Sequence, residues 1–232
     1  MKRQLAIYDM DKTITRKATY TPFLVHACLR LAPWRMLLLP LVPLALAAFA
    51  LRLIDRGRLK EWNYVLLIGR GVAPGRLDPV IESFAERQIA SNIMPGARRS
   101  IAADRAAGRR LVMATASYRL YAAAIAKRLG FDDVIATDTM RDAKGRTVAR
   151  IDGANCYGLG KLDMIEAWLQ REGLERDAVH IRFYSDHFSD HHVHRWADEP
   201  VAANAHDRLR RLAEAEGWEV VDWRDRRRAQ RH

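Results

Sequence analysis

Short apolar runs recur along the chain, and each of them ends near a polar side chain. The first extends from residue 3 to residue 9 and contains Leu5 to Tyr8, and another ends at Thr115. Short runs of this kind, bounded by polar or turn residues, are typical of buried strands. The same reasoning predicts further strands at residues 133–137, up to Tyr184, around Val201 and at residues 219–223.

Between these runs, apolar residues recur every three to four positions, which is the period of a helix packed on a core. Strands that alternate with helices indicate a parallel α/β sheet covered by helices on both faces. A turn at Lys144-Gly145 also predicts a hairpin from Met140 to Ile151. The predicted helices cover residues 23–31, 59–68, 76–90 and 97–107, a segment ending at Leu129, and residues 161–171, 191–196 and 207–216.

The stretch from about residue 15 to residue 92 breaks this alternation. It holds helical patterns and no strand pattern, and it lies between the first strand and the rest of the α/β sequence. We therefore expect residues 1–14 and 93–232 to form an α/β core, and residues 15–92 to form an inserted helical cap.

The predicted cap contains a stretch, Met36 to Leu51, without a single charged side chain. As an α-helix these 16 residues would span about 24 Å, less than the ~30 Å hydrocarbon core of a bilayer, and Pro40 and Pro43 interrupt them. Two arrangements fit: a helix pair buried inside the cap, or insertion into one leaflet of an anionic membrane. In the second arrangement these arginines would lie near lipid phosphates: Arg30, Arg35, Arg52, Arg56 and Arg58.

The composition is that of a folded, basic protein. Of its 232 residues 49% are hydrophobic, which argues against disorder, and the formal net charge is +11. Such a charge favours an anionic partner, either a phosphorylated substrate or an acidic lipid surface. The arginines are dispersed and no aromatic-rich binding motif accompanies them, so nucleic acid is disfavoured. We expect residues 224–231 to form a solvated basic tail.

The cysteines and the first residues indicate in which cellular compartment the protein is located. Cys28 and Cys156 are the only cysteines, and we expect reduced thiols rather than a disulfide. Asp9, Asp11 and Lys12 fall where a signal peptide needs an apolar core, so we expect no signal peptide. The expected location is the cytoplasm, with peripheral attachment to the inner face of the membrane as the arrangement that the apolar stretch would allow.

Polar groups at the strand ends are the candidates for chemistry, because open α/β sheets bind ligands at the carboxyl ends of their strands. Asp9 and Asp11 follow the first strand at i and i+2, so in an extended chain they would point the same way. One could attack a phosphorus atom while the other passes a proton. The ordinary alternative is a turn or a helix cap, which Asp and Thr also favour. Further candidates are Thr115, Lys161, Asp186 and Asp190.

The order Asp-x-Asp-x-Thr, Thr, Lys and Asp-x-x-x-Asp resembles that of the haloacid dehalogenase (HAD) phosphatase superfamily, and the resemblance covers nearly the whole chain. The segments Ser185–Asp190, Pro200–Asn204 and Gly217–Trp218 are similar to the phosphoserine-phosphatase-like branch, subfamily IB. The resemblance implies an HAD-like, Rossmann-type parallel sheet with helices on both faces and an inserted all-helical cap.

The resemblance also implies a mechanism. Asp9 would be the nucleophile that forms an aspartyl-phosphate, and Asp11 would protonate the leaving oxygen. Because Asp9 is an anion, a cation must lie between it and a phosphate group, and Mg²⁺ prefers oxygen ligands. Lys161 and Thr115 would contact the phosphoryl oxygens, with Ser117 nearby. The implied Mg²⁺ ligands are Asp9, the main-chain carbonyl of Asp11, Asp186 and Asp190.

The substrate is less well specified. Phosphoserine phosphatases carry a glutamate nine residues after the nucleophile, where this chain has Ala18, and this departure disfavours phosphoserine. The stretch from Leu37 to Trp62 resembles the cap of the phosphatidylglycerophosphatase C family, whose members are membrane-associated. The candidate substrate-binding residues are Ser117, Arg16, Arg56 and Arg58.

Three functional hypotheses follow. The first is a Mg²⁺-dependent phosphomonoester hydrolase that acts on a lipid head-group phosphate, such as phosphatidylglycerophosphate. The second is a soluble small-metabolite phosphatase of the phosphoserine phosphatase type. The third is a non-catalytic membrane-binding or protein-binding module, against which the intact set of carboxylates argues.

A cluster of histidines near the last carboxylates raises the question of zinc. His187 and His191 are four residues apart, and His191 and His194 are three apart, so some of these side chains would share a helical face. No cysteine joins them. We therefore expect the cluster, which also includes His192, to be solvated or adjacent to the substrate rather than to bind zinc.

Overall fold

Eight strands form one sheet in the computed structural model, which describes residues 2–224. The strands are β1 (Arg3–Tyr8), β2 (Gly71–Val72), β3 (Arg110–Tyr118), β4 (Asp133–Arg141), β5 (Thr147–Asp152), β6 (Val179–Ser185), β7 (Glu199–Ala203) and β8 (Glu219–Val221). Across the sheet their order is β2-β5-β4-β3-β1-β6-β7-β8. Six of these strands are parallel to one another: β4, β3, β1, β6, β7 and β8. At one edge, β5 pairs antiparallel with β4, and β2 pairs antiparallel with β5.

Nine α-helices occur in the described part of the chain. They are α1 (Tyr20–Leu31), α2 (Val42–Ala50), α3 (Arg56–Leu67), α4 (Pro74–Ser91), α5 (Pro95–Ala106), α6 (Arg119–Leu129), α7 (Leu159–Arg171), α8 (His191–Trp196) and α9 (Asp207–Glu216). The predicted helices are present within a few residues of their expected bounds. α3 begins three residues before its predicted start because the Asp55 side chain accepts a hydrogen bond from the Arg58 main-chain N–H and caps it.

Helices cover both faces of the sheet, because successive side chains of a strand point to opposite sides. Ala6 and Tyr8 pack in a buried cluster with residues of α4, α5 and α6, whereas Leu5 and Ile7 pack with residues of α7 and α8. The prediction of an α/β sheet with helices on both faces is therefore confirmed. The sheet is mixed rather than wholly parallel, and the predicted hairpin forms its antiparallel part as β4 and β5.

The two ends of the segment between β1 and α5 lie next to each other. Thr15 and Ile93 form an antiparallel bridge, and the Arg16 N–H donates to the Asn92 carbonyl. The expectation that residues 15–92 contain no strand is wrong, because β2 pairs with β5 through Val72 and Thr147. A two-residue strand is too short to leave a hydrophobic pattern, so its position depends on the edge that β5 offers.

The apolar stretch of the cap lies mostly on the surface. Residues 33–41 form a 3₁₀-helix that continues into α2, and within these two helices only Ala45 is buried. The alternative of a buried helix pair is therefore wrong, because α2 contacts α3 along one side and nothing in the described chain covers the other. By length and composition alone, Pro33–Ala50 could cross a membrane, a test that buried core helices and signal sequences also pass.

Two further predictions concern the cysteines and the basic tail. Cys28 and Cys156 are buried and unpaired, as free thiols would be. The predicted basic tail lies outside the described residues from position 225 onward.

Candidate active site

The site begins at the end of β1, where the chain turns sharply after Asp9. Residues 10–14 form a tight turn in which Lys12 takes a left-handed conformation, with φ of +61°. Buried Asn204, at the end of β7, donates from its side-chain amide to the carbonyls of Lys12 and Thr13. Its amide oxygen accepts from the Trp223 N–H. This asparagine therefore fixes the turn that carries the two aspartates.

Asp9 belongs to a buried ionic cluster. Lys161, near the start of α7, donates from its Nζ to Asp9 Oδ1 at 2.8 Å and to Asp190 Oδ2 at 2.6 Å. The lysine is 2% exposed. The Ser185 hydroxyl donates to the same oxygen of Asp190 at 2.7 Å. One cation thus bridges two carboxylates that come from strand ends far apart in sequence.

The second oxygen of Asp9 faces Asp186 across a shared hydroxyl. Thr13 Oγ1 lies 3.1 Å from Asp9 Oδ2 and 3.2 Å from Asp186 Oδ1, and it accepts a hydrogen bond from the Asp186 N–H. On its other side, Asp186 Oδ2 lies 3.3 Å from His206 Nε2. Asp9 and Asp186 are therefore held next to each other without a lysine or arginine between them.

Asp11 has a different set of partners. Its Oδ1 accepts hydrogen bonds from the Thr19 N–H and hydroxyl, and its Oδ2 accepts from the Ser117 hydroxyl at 2.6 Å. Tyr121 donates to Ser117 in turn. Asp11 continues no strand, because the chain turns after Asp9, and the extended geometry that we assumed for the pair is absent. The two carboxylates reach the same cavity by way of separate hydrogen-bond networks.

Burial and neighbouring charge set the protonation of these acids. Burial raises the pKa of Asp9 to about 7, against the opposing effect of Lys161, and raises the pKa of Asp186 to about 6. For Asp190, burial acts in the same direction, but the charge and hydrogen bond of Lys161 outweigh it and lower the pKa. Lys161 itself is buried, yet its carboxylate partners raise its pKa. The lysine is consequently charged, while burial favours the protonated forms of Asp9 and Asp186 more than in a free aspartate.

These groups line one cavity of about 410 Å³ between the sheet and the cap. Thr115 and Ser117, at the end of β3, form part of its wall. On the cap side, Arg56 stacks over the Tyr157 ring, with its guanidinium carbon 4.1 Å from the ring centroid. Arg16 and Arg58 are exposed and lie outside this wall, and Arg58 instead pairs with Glu61 one turn along α3. The candidate residues that meet in the cavity are Asp9, Asp11, Arg56, Thr115, Ser117, Lys161, Asp186 and Asp190.

Two charged cavity residues, Lys12 and Lys60, were not among the predicted site residues, and of these Lys60 on α3 is buried. Its Nζ donates to the Ala116 carbonyl and, at 2.7 Å, to Asn155 Oδ1. Burial, with a contribution from Arg56, lowers its pKa to about 8. In sequence it looks like an ordinary lysine of a surface helix, and only the docking of the cap on the sheet buries it.

The other residues of the site without an assigned role differ in how well the sequence could have revealed them. Thr13 is part of the first motif and lies beside Asp9 without lining the cavity, so the sequence could have indicated its position. Tyr20, Leu46 and Asn63 come from the cap and Tyr157 precedes α7, and no spacing rule connects them to the aspartates.

The histidines of the described chain do not form a cluster that could hold zinc. His194 is buried, and its two ring nitrogens face the carbonyls of Asp190 and Val201. Burial lowers its pKa to about 4. His187 lines the cavity, and its Nδ1 pairs with Ser189. A position adjacent to the substrate thus suits His187, whereas His194 is a core residue rather than a solvated one.

The carboxylates fit a magnesium ion better than a cage-type metal site. In residues 2–224, no three His, Cys, Asp or Glu side chains are placed to hold a metal ion by themselves. Mg²⁺ does not require such a cage, since it is commonly bound by one or two carboxylates together with waters and substrate phosphate. Asp9 and Asp186 are two such carboxylates, and because burial raises the pKa of each, a bound cation would stabilise their ionised forms. Asp190 is already engaged by Lys161.

The chain matches the family model of the haloacid dehalogenase-like hydrolases over residues 6–195. This range includes the turn after β1, the end of β3, the start of α7 and both late aspartates. The chain therefore belongs to this family of hydrolases.

Two curated relatives illustrate the similarity. Phosphoserine phosphatase SerB1 of Mycobacterium tuberculosis is 32% identical over 178 residues, which cover 77% of this chain and 56% of that protein. Protein CicA of Caulobacter vibrioides is 30% identical over 196 residues, covering 84% of this chain and 83% of that protein. The chain spans about half the length of the mycobacterial relatives that it matches.

Solved structures share the fold. A protein of unknown function from Bordetella pertussis superposes with a TM-score of 0.83 at 26% identity, covering 96% of this chain and 100% of that chain. A substrate-bound phosphoserine phosphatase superposes with a TM-score of 0.62 at 15% identity, covering 97% of this chain and 95% of that chain. The predicted HAD-like fold is thus confirmed.

Proposed function

We propose that this protein is a phosphomonoester hydrolase that works through a phosphorylated Asp9. The observation that carries the proposal is the arrangement around Asp9: a buried carboxylate at a strand end, paired with Lys161 and next to Asp186. A carboxylate so placed needs no separate base to become a nucleophile, because its ionised form is itself the attacking group. Burial raises its pKa to about 7, so a cation bound beside it would favour the ionised form at neutral pH.

The residues divide the reaction between them. A carboxylate oxygen of Asp9 would attack phosphorus and form the aspartyl-phosphate bond, while the bond from phosphorus to the leaving oxygen breaks. Asp11 would give a proton to that oxygen and later take one from the water that hydrolyses the intermediate. Lys161 would neutralise the phosphoryl oxygens, and Thr115 and Ser117 would donate hydrogen bonds to them.

Phosphatases of this family generally use Mg²⁺, and we propose the same here. Asp9, Asp186 and the main-chain carbonyl of Asp11 would hold the ion, with Asp190 beside them. Bound there, it would supply the positive charge that lets an anionic phosphate approach an anionic nucleophile.

For the substrate we propose a lipid head-group phosphate, with phosphatidylglycerophosphate as the first candidate. Leu46 and Leu59 of the cap line the cavity, and Arg56 and Lys60 supply positive charge on the same side. Ala18 lies in the wall as well, at the position where phosphoserine phosphatases carry their glutamate. The resemblance of residues 37–62 to the phosphatidylglycerophosphatase C cap favours the same substrate, whereas the subfamily IB pattern is shared with phosphoserine phosphatases and does not distinguish the two.

A soluble phosphomonoester is the second candidate, because one relative bears the name phosphoserine phosphatase. The two candidates make different demands on the cavity. A small polar ester would leave the apolar cap wall without a partner, whereas a lipid phosphate would place its glycerol backbone there.

Phosphate release by the purified full chain distinguishes these candidates. Phosphatidylglycerophosphate in mixed micelles, phosphoserine and a panel of soluble phosphomonoesters are compared with Mg²⁺ and with EDTA. Asp9→Asn serves as the blank, and Asp163→Asn, which changes an exposed aspartate of α7, is the matched control. We expect release only with Mg²⁺ and with Asp9, and a kcat/KM for the lipid at least about tenfold above any soluble ester.

The other outcomes are equally informative. Preference for soluble esters would overturn the lipid substrate and retain the phosphatase. Equal phosphate release by wild type and Asp9→Asn would contradict the assignment of Asp9, and no release from any ester would favour a non-catalytic module.

A further inference from the structure

The cap presents an apolar surface that nothing in the described chain covers. It consists of the exposed large side chains between Trp34 and Leu53, which we call the apolar ridge. Leu37 is 81% exposed, Leu44 65% and Leu51 71%. Scattered exposed leucines are ordinary on soluble proteins, but a run of them on consecutive helical turns marks an interaction site.

Charge identifies the kind of partner. The chain has no aspartate or glutamate between Asp11 and Asp55, so the ridge itself carries no negative charge, and Asp55 is the first acid after it. Arg52 lies within the ridge and is exposed, and Arg30, Arg56 and Arg58 are exposed near its ends. Apolar side chains bordered by cations match a layer of anionic lipids, which offers hydrocarbon beneath and phosphate at the surface.

The connections of the ridge exclude a transmembrane arrangement. α1 precedes it and α3 follows it, and these two helices contact each other within the cap. Both ends of the ridge therefore return to the same side. A segment with this topology can enter one leaflet but cannot end on the opposite face of a bilayer.

The ridge is also continuous with the candidate active site. Leu46, on the same helix α2 as Leu44, lines the cavity that holds Asp9 and Lys161. Leu46 is 48% exposed and is itself part of the ridge, so the surface of the ridge and the wall of the cavity share this side chain. If the ridge enters a lipid layer, the mouth of the cavity comes to lie at the level of the head groups.

We infer that the apolar ridge inserts into one leaflet of an anionic phospholipid membrane, so that the cavity receives phosphorylated head groups at the surface. The inference extends the proposed lipid substrate, but binding to a membrane requires neither substrate nor catalysis. The two can consequently be tested separately.

Cosedimentation with vesicles, without substrate and with EDTA, is the direct test. One vesicle population contains phosphatidylcholine alone, and the other contains phosphatidylcholine with phosphatidylglycerol. We expect the full chain to bind the anionic vesicles at least about tenfold more tightly, with a decline as the salt concentration rises.

Two kinds of variant separate the apolar and charged contributions. The triple substitution Leu37→Ser, Leu44→Ser and Leu51→Ser is expected to reduce binding to anionic vesicles by about a hundredfold. Arg52→Gln is expected to reduce it by about fivefold. Leu159→Ser, which changes an exposed leucine of α7 outside the ridge, is the matched control and leaves binding unchanged.

Hydrolysis of a soluble ester by the triple variant shows that it remains folded. Wild-type binding that is equal on both vesicle populations, or a triple variant that binds as wild type does, would overturn the inference. So would a dimer of the wild type without lipid that the triple variant abolishes, because a second copy would then be the partner. Binding that persists while no ester is hydrolysed would refute the proposed function and leave the membrane surface standing.

Discussion

Partners, rather than position in sequence, distinguish the carboxylates of the site. Asp9 and Asp190 share Lys161, Asp186 shares the Thr13 hydroxyl with Asp9, and Asp11 is held by Thr19 and Ser117. Acids that perform different steps need different surroundings, and these carboxylates have them. These surroundings agree with the roles that we propose, Asp9 as the nucleophile beside a cation site and Asp11 as the proton carrier.

Removal of the central lysine tests the ionic cluster. In Lys161→Met, Asp9 and Asp190 lose their common cation, so we expect kcat/KM to fall by about 100-fold or more. The free energy of unfolding of the metal-free protein is expected to fall by about 3–5 kcal/mol, the usual cost of an unpaired buried charge. Lys127→Met, which changes an exposed lysine of α6, is the control, and equal kinetics in both variants would refute the role of Lys161.

The raised pKa of Asp9 predicts a pH-dependent stability. Because the pKa is about 7 in the folded protein and 3.8 for an unperturbed aspartate, the folded state binds the proton more tightly between these values. Stability contributed by this group therefore falls as pH rises from about 4 to about 7. In EDTA, we expect the Tm of Asp9→Asn relative to wild type to increase across this window and to level off above it.

Magnesium provides the complementary observation. At pH 8 the ion is expected to raise the Tm of wild type more than that of Asp9→Asn, because the variant lacks one carboxylate ligand. A Tm difference in EDTA that stays constant from pH 4 to pH 8 would show that Asp9 titrates normally in the folded protein.

Helix α3 connects the cap to the catalytic end of the sheet. Lys60 reaches from this helix to the Ala116 carbonyl, which lies between Thr115 and Ser117. Thr137 donates to the same carbonyl from the sheet side. The loop that would contact the phosphoryl group is thus fixed from both the cap and the core, which links cap position to catalytic geometry.

Substitution of this lysine should weaken catalysis without abolishing it. In Lys60→Met the Ala116 carbonyl keeps the Thr137 donor and loses the cap donor, so we expect kcat/KM to fall by about tenfold for soluble and lipid esters alike. Lys144→Met, in the exposed turn between β4 and β5, is the control. Steady-state kinetics that are identical for Lys60→Met and Lys144→Met would show that the contact does not position the loop.

At the scale of the whole molecule, the strands and the residues at their ends could be predicted from the sequence, whereas the contacts of the cap could not. Apolar runs located β1, β3 and β6 because a buried strand needs a continuous apolar segment, and the ends of these strands located Asp9, Thr115 and Asp186. Of the three predicted cap arginines, Arg56 lines the cavity and Arg16 and Arg58 do not, because the docking of the cap on the core, which depends on tertiary contacts, decides which of them face it. Lys60 and β2 were not predicted because neither has a local sequence pattern, and the position of each depends on tertiary contacts.

The cap joins two surfaces with opposite properties. One side faces the carboxylates through Arg56 and Lys60, the other exposes the apolar ridge, and Leu46 belongs to both. This arrangement accounts for a strongly basic chain that also carries a long uncharged stretch. In our proposals the ridge binds the membrane and the carboxylates catalyse the reaction, so the two activities can be changed separately by mutation.

The most direct test of the account is to trap the phosphorylated enzyme. The full chain is mixed with Mg²⁺ and its preferred phosphomonoester, quenched in acid, and reduced with borohydride, which converts an aspartyl-phosphate into homoserine. Mass spectrometry of the peptide that contains residues 9 and 11 then locates the modified residue. The account predicts homoserine at Asp9 only, dependent on substrate; turnover without modification, or modification at Asp11, would contradict it.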